Sequence, residues 1–253
     1  MLNYIERGQG PALVLMHAFP LDSSMWRPQL DFFATRYRVI TPDIIGFGGS
    51  QPARPWTMQQ MGDEVVALLD ELNIERCSLA GLSMGGYVSL PFTFAHPNRV
   101  QRLVLAHTRA RADIDTERAA RNAMIEELKK NGVGSLPDKM LPRLLGAAAS
   151  ESVRNVVRAS ILKTTAEANI HAVTAMRDRD DQTTGLGRLD CPTLVIAGSG
   201  DAILKVEDCQ AMAQAIPGAE FVVIPNTGHL SNLEDPTAFN RAVDNFLRQS
   251  DSE

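Results

Sequence analysis

Short apolar runs alternate with longer amphipathic stretches along most of this chain, and this alternation limits the fold more than any other feature of the sequence. Each run suits a strand buried on both faces, and the stretches between them repeat with the period of a helix. Six such runs lie at residues 12–16, 39–41, 77–80, 100–106, 193–197 and 221–224. The pattern predicts an α/β fold in which helices flank a mostly parallel sheet.

Helical periodicity is clearest between these runs. Residues 57–72 and residues 236–247 each place their apolar side chains on one stripe, as a helix packed on a sheet requires. Asp115 and Ser150 suit the N-cap positions of two further helices. The second of these helices is expected to place Val153, Val156, Val157 and Ile161 on one apolar face.

One long segment interrupts the alternation. Residues 110–185 carry helical patterns but no apolar run suited to a buried strand. We therefore expect residues 1–109 and 186–253 to form one α/β core, and residues 110–185 to form a helical cap inserted into it between the runs at 100–106 and 193–197.

Composition excludes several classes of protein. The chain has 253 residues, 44% of them hydrophobic and 22% charged, which is typical of a globular protein with a large core. The net charge of −5 provides no basic surface for nucleic acid. We find no signal-peptide pattern and no apolar span of about 20 residues that could cross a membrane. No oligomeric state is indicated by the sequence.

Three cysteines, Cys77, Cys191 and Cys209, form neither an even set nor a CxxC pair. This argues against a disulfide framework and a zinc site, and it favours the reducing cytoplasm. The glycine-rich stretch at residues 43–50 lacks the G-x-G-x-x-G spacing of a dinucleotide site. We therefore expect neither a cofactor nor a metal ion.

A G-x-S-x-G sequence at residues 81–85 lies directly between a predicted strand and a predicted helix. Glycines let the elements on either side approach closely, so that the hydroxyl of Ser83 is presented at the carboxyl edge of the sheet. The backbone N–H of Met84 opens the helix, where a developing negative charge is favoured. The alternative is a glycine-rich turn with an idle serine, but the strand and helix around it favour a nucleophile.

On this motif the sequence resembles the α/β-hydrolase family, whose catalytic residues occur in the order serine, acid, histidine. A Gly-Ser-Gly-Asp loop ending at Asp201 follows one late apolar run, and an Asn-Thr-Gly-His loop ending at His229 follows the next. Both loops match the family's pattern. The resemblance implies an α/β-hydrolase fold with a helical cap inserted after the sixth strand, and a triad of Ser83 as nucleophile, Asp201 as acid and His229 as base.

The His-Ala-Phe-Pro segment that begins at His17 resembles the family's His-Gly-x-Pro loop. The resemblance implies that the backbone N–H groups of Phe19 and Met84 form an oxyanion hole, although Ala18 stands where glycine is frequent. His17 is expected to anchor its loop. The other histidines, His96, His107 and His171, are not expected to be catalytic.

Four arginines, Arg109, Arg111, Arg118 and Arg121, stand where the cap begins, among several acidic residues. Two of them facing inward could bind an anionic substrate. A solvated face shared with Asp113, Asp115 and Glu117 is the favoured alternative.

Serine as the nucleophile indicates acyl chemistry through a covalent ester. The sequence is most similar to 3-oxoadipate enol-lactonases and carboxylesterases, which implies hydrolysis of a small ester or lactone. Two alternatives stay open, because pockets vary on one scaffold. The same triad serves carbon–carbon bond hydrolases, and some relatives act as small-molecule receptors.

Overall fold

The computed structural model describes residues 1–249, and in this part of the chain seven strands form one sheet in the order β1-β3-β2-β4-β5-β6-β7. β1 pairs antiparallel with β3, and all the other neighbours are parallel. The strands are β1 Tyr4–Arg7, β2 Ala12–Met16, β3 Arg38–Pro42, β4 Cys77–Leu82, β5 Val100–Ala106, β6 Thr193–Gly198 and β7 Glu220–Ile224. The predicted α/β architecture is confirmed.

β1 has no counterpart among the predicted strands. It lies at the edge of the sheet, where Tyr4 and Ile5 are half-buried and Glu6 and Arg7 are exposed. A strand this short and this solvated carries no continuous apolar run, so the pattern that identifies buried parallel strands does not find it.

The described part of the chain contains ten α-helices. They are α1 Arg27–Phe33, α2 Met58–Glu71, α3 Met84–Ala95, α4 Asp115–Asn131, α5 Leu136–Leu144, α6 Glu151–Lys163, α7 Ala166–Arg177, α8 Val206–Gln214, α9 Ser231–Glu234 and α10 Pro236–Leu247. α2 and α10 match the two amphipathic predictions. Thr57 caps α2 by accepting a hydrogen bond from the backbone N–H of Gln60 at 3.2 Å. No described helix is long and apolar enough to cross a bilayer.

α4 to α7 follow one another between β5 and β6, the place where the sequence interrupts its alternation. The strand that precedes them, β5, is the fifth of the described strands in chain order, where the sixth was expected.

Two local predictions in this segment are wrong. Asp115 is the first residue of α4 and not its cap, because the side chain of Glu117 already accepts the free N–H of Ile114 at 3.0 Å. Ser150 does cap α6, but Val156 on that helix is 56% exposed. The buried stripe of α6 runs through Val157 and Ile161, four residues apart, and it leaves Val156 on the solvent side.

The parallel arrangement determines where function can lie. The carboxyl ends of β2, β4, β5, β6 and β7 all meet at one edge of the sheet, so the loops that follow them converge there. These five strands are followed, in the same order, by His17, Ser83, His107, Ser199 and Pro225.

Candidate active site

Ser83 lies in the sharp turn between β4 and α3. Its backbone has φ 55° and ψ −111°, in a region that costs a non-glycine residue about 1–3 kcal/mol. Two groups hold this conformation. The N–H of Ser83 donates to the carbonyl of Ala106 at 2.9 Å, and its carbonyl accepts the hydroxyl of Thr108 at 2.9 Å. The strain is thus compensated by neighbouring residues.

The turn depends on two glycines that allow very close packing. A Cβ atom on Gly81 would lie 2.5 Å from the carbonyl oxygen of Gly85, and a Cβ on Gly85 would lie 2.2 Å from that of Met16 on β2. Real Cβ contacts are never so short, so this part of the motif is a packing requirement that fixes α3 against the sheet.

Asp201 follows β6, and its side chain is 1% exposed. Oδ1 accepts the backbone N–H groups of Ile203 at 2.8 Å and Leu204 at 3.0 Å. Oδ2 lies 2.7 Å from Nδ1 of His229. Because a carboxylate can only accept, Nδ1 of His229 carries the hydrogen, and Nε2 is left with its lone pair.

His229 and Ser83 meet at one cavity. Both line a space of about 140 Å³, together with Phe19. Nε2 of His229 is buried and has no hydrogen-bond partner among the described residues. Contacts between a nucleophile and its base often tighten only when substrate binds. The predicted serine, acid and histidine are therefore gathered at one edge of the sheet, with the acid bonded to the histidine.

His107 is a part of the site that sequence reasoning missed. It follows β5 directly, is completely buried and has φ 48°. Its Nδ1 lies 2.9 Å from Oδ2 of Asp201, its Nε2 lies 2.7 Å from Oγ of Ser231, and its ring packs edge-on against that of His229 at 5.4 Å. The signal available in the sequence was its position, at the same sheet edge as the acid and histidine loops.

The charges around Asp201 favour its ionised form. Burial raises the pKa of Asp201, but the adjacent imidazoles of His229 and His107 outweigh burial and hold that pKa below its usual range. For His107 burial dominates and lowers the pKa, against the opposing effect of the hydrogen bond to Asp201. The geometry therefore favours an anionic acid beside a neutral His107.

His107, Asp201 and His229 also form a cluster of three side chains of the kind that binds metals, a cluster that the sequence spacing did not indicate. Their ligand-type atoms lie within 4.8 Å of one another. Hydrogen bonds account for this approach, since each Nδ1 already donates to Oδ2 of Asp201 at 2.7–2.9 Å. Both Nδ1 atoms and Oδ2 are therefore occupied by hydrogen bonds within the protein, whereas Nε2 of His229 has no partner among the described residues.

The two candidate oxyanion donors occupy suitable positions. Met84 is the first residue of α3, and Phe19 lines the cavity. Neither backbone N–H donates a hydrogen bond to another residue in 1–249. His17 anchors the loop as expected, because its Nε2 accepts the N–H of Ile44 at 2.9 Å and its Nδ1 lies 3.0 Å from the carbonyl of Ala18.

The four arginines at positions 109–121 are engaged in salt bridges, including one between Arg118 and Asp178 at 3.2 Å. Arg109 and Arg111 both bind Glu117, at 2.8 and 2.7 Å. Arg109 and Arg121 bind the buried carboxylate of Asp113, each at 3.0 Å. The hydrogen bond from Arg111 is the main reason that the pKa of Glu117 falls to about 2. The arginines do lie among the acidic residues, but the side chains of Arg109 and Asp113 are 11% and 0% exposed, so this pair is not on a solvated face. Arg109 and Arg121 also line the cavity.

Glu234 ties the histidine loop to the end of α5. Its Oε1 accepts the N–H of Gly228 and its Oε2 that of Gly146, both at 2.9 Å. The neighbouring N–H of His229 donates to the carbonyl of Leu144 at 3.0 Å. Burial raises the pKa of Glu234, and the two backbone donors oppose that effect. The loop that carries His229 is therefore held by the helical segment.

We expect Glu234→Ala to lower the free energy of unfolding by about 3 kcal/mol, because it removes two hydrogen bonds to a carboxylate, each worth about 1.5–3 kcal/mol. Urea denaturation measures this change. Glu71, an exposed residue at the end of α2, provides the control, and Glu71→Ala should stay within about 0.5 kcal/mol of wild type. A loss below about 1 kcal/mol for Glu234→Ala would mean that these two hydrogen bonds do not stabilise the fold.

Comparison with known proteins gives consistent results. Residues 13–242 match the model of the alpha/beta hydrolase family. The 3-oxoadipate enol-lactonase 2 of Acinetobacter baylyi is 30% identical over 254 residues, which cover 98% of this chain and 93% of the relative.

Two solved structures are similar over almost their whole length. A thermophilic esterase from Thermogutta terrifontis has a TM-score of 0.94 and 38% identity, with 98% of this chain and 93% of that chain covered. The enol-lactonase from Burkholderia xenovorans LB400 has a TM-score of 0.91 and 30% identity, with coverages of 98% and 96%.

Proposed function

This chain belongs to the α/β-hydrolase family, and from that premise we propose that it hydrolyses a small carboxylic ester or lactone through an acyl-enzyme formed on Ser83. The observation that carries the proposal is the hydrogen bond from His229 to Asp201, made beside a cavity that Ser83 also lines. Similarity to proteins named as esterases and enol-lactonases supports the choice of ester and lactone over other acyl substrates.

The reaction begins with the transfer of the Ser83 hydroxyl proton to Nε2 of His229. A free hydroxyl is a weak nucleophile, and removal of the proton lets Oγ attack the carbonyl carbon of the substrate. The carbonyl oxygen then carries a negative charge, which the N–H groups of Phe19 and Met84 stabilise. One such donor is typically worth about 3 kcal/mol in the transition state.

The intermediate collapses when the bond to the leaving alcohol breaks. The imidazolium of His229 returns its proton to that oxygen, and the acyl group stays on Ser83. Water then attacks the acyl carbon by the same route and releases the acid. With a lactone, the alcohol stays attached to the acyl group, so the product is one hydroxy acid. Asp201 stabilises the imidazolium in both halves of the reaction.

We further propose that residues 110–185 act as a cap over this site, with residues 1–109 and 186–253 as the core. Support comes from Met124, Met140 and Met176, which lie on α4, α5 and α7 and line the cavity that contains Ser83. These side chains offer an apolar wall to the substrate, which fits a small organic acyl compound.

The proposed compartment is the cytoplasm. Its support is that Cys77, Cys191 and Cys209 are all free thiols. Burial raises the pKa of the thiols of Cys77 and Cys209 to about 12, so both should remain protonated and unreactive.

A panel of short nitrophenyl esters, lactones and a vinylogous diketone tests the function. The proposal predicts a burst of nitrophenol from the ester, hydrolysis of at least one lactone and no cleavage of the diketone. Mass spectrometry of the acylated protein should place the acyl group on the peptide that contains Ser83. Cleavage of the diketone alone would indicate a carbon–carbon bond hydrolase, and a ligand-induced rise in Tm without turnover would indicate a receptor.

A further inference from the structure

We propose that His107 is a positioning residue for this reaction: it holds Asp201 in the orientation that keeps His229 ready to accept the proton of Ser83. This inference rests on the proposed function. It follows from a chain of hydrogen bonds that runs from Ser231 through His107 and Asp201 to His229, with distances of 2.7, 2.9 and 2.7 Å.

The direction of each hydrogen bond in this chain is determined by Asp201. An ionised carboxylate accepts hydrogen bonds and cannot donate them, so Nδ1 of His107 must carry a hydrogen. In the neutral ring Nε2 then has the lone pair, and the hydroxyl of Ser231 is the donor to it. Asp201 therefore selects the tautomer of His107, and the hydroxyl of Ser231 supplies the hydrogen bond that this tautomer accepts at Nε2.

Asp201 is held from four directions. Ile203 and Leu204 donate backbone N–H groups to Oδ1, while His107 and His229 donate to Oδ2. Rotation of the carboxylate would break bonds to both oxygens at once. Without His107, one side of Oδ2 would lose its donor, and the direction of the bond to His229 would be less restricted.

His107 is held in place with an unfavourable backbone conformation. Its φ of 48° is unfavourable for a residue with a side chain, and its N–H is bonded to the carbonyl of Ile196 at 2.8 Å. The loops behind it fit closely, since a Cβ on Gly198 would lie 3.0 Å from Cε1 of His107. A histidine used merely to fill space would not need this conformation and two directed hydrogen bonds.

A neutral donor suits this position better than a charged one. Asp201, His229 and Ser231 are the polar groups that face His107, and burial keeps its ring neutral. A neutral His107 orients Asp201 without cancelling its charge. That charge then remains free to stabilise the imidazolium that forms on His229 during the reaction.

Two substitutions test the two hydrogen bonds of the His107 ring separately. The amide nitrogen of asparagine reaches the position of Nδ1, and that of glutamine reaches the position of Nε2. We expect His107→Asn to keep kcat within about threefold of wild type, and His107→Gln to lower kcat by about 10- to 100-fold with KM nearly unchanged, as expected for loss of a buried bond to a charged group. Ser231→Ala, which keeps the bond to Asp201, should lower kcat by less than about tenfold.

If His107 only fills space or holds α9 through Ser231, the order reverses, and the glutamine variant would equal or exceed the asparagine variant. That result, or equal losses in both, would overturn the proposal. Because asparagine tolerates a positive φ better than glutamine does, Tm is measured for each variant, and kcat is compared well below the lower Tm.

A second measurement needs neither activity nor a folded variant. In ¹⁵N NMR spectra of histidine-labelled wild-type protein, His107 should show a protonated Nδ1 and an unprotonated Nε2. The opposite tautomer would overturn the positioning role even if the enzyme hydrolyses esters. Conversely, absence of ester and lactone hydrolysis with the expected tautomer would contradict the proposed function and leave the geometry of His107 correct.

Discussion

Replacing Ser83 by alanine is expected to lower kcat for a short nitrophenyl ester by about 10⁴- to 10⁶-fold, the range found when a serine nucleophile is removed. The other residues of the motif, Gly81, Leu82, Met84 and Gly85, carry no hydroxyl group, so no acyl-enzyme should form on it. The cavity and the N–H groups of Phe19 and Met84 remain, and they account for the residual rate. Stopped-flow detection of nitrophenol should show loss of both the burst and the steady state.

Ser78 offers a control, because it lies on β4, the strand that leads into the motif, and it is buried where Ser83 is half-buried. Ser78→Ala should retain the burst and a kcat close to wild type. Alanine at position 83 keeps the same φ of 55°, so we expect little change in Tm. Turnover above about 1% of wild type in Ser83→Ala would point to a nucleophile other than this hydroxyl.

Most of the fold could be predicted because the strands of a parallel sheet leave a clear pattern. The bounds of β2, β4, β5, β6 and β7 agree with the predicted apolar runs within one or two residues, and these strands are buried or partly buried. β1 differs, since its position at the sheet edge is defined by pairing with β3 and not by its own residues. The exposed side of Val156 was likewise determined by how α6 packs, which its local periodicity does not specify.

The residues of the candidate site also differ in whether the sequence could locate them. Ser83 has a local signature, because the turn that strains it needs glycines close by in sequence. Asp201 and His229 could be located through their order and through the strands before them. His107 has neither signature. Its contacts join residues 94 and 124 positions apart, and they form only when the loops after β5, β6 and β7 meet.

The second large effect is expected at the acid. Asp201→Asn should lower kcat by about 10³- to 10⁴-fold, the order of loss seen when a triad aspartate becomes an amide. Four N–H donors converge on this side chain, and an amide offers them one oxygen and one NH₂ group. The NH₂ group therefore lies opposite at least one of these N–H donors, and that donor is left without an acceptor.

The conflict has two outcomes, and both impair the base. If the amide oxygen stays toward the histidines, NH₂ opposes the N–H groups of Ile203 and Leu204 and the loop is displaced. If it turns, His229 can bind NH₂ only through an unprotonated Nδ1, which moves the hydrogen to Nε2 and removes the lone pair that Ser83 needs. Asp190, an exposed residue, gives the control Asp190→Asn, which should keep wild-type kcat. A loss of less than about tenfold in Asp201→Asn would mean that Asp201 does not set the state of His229.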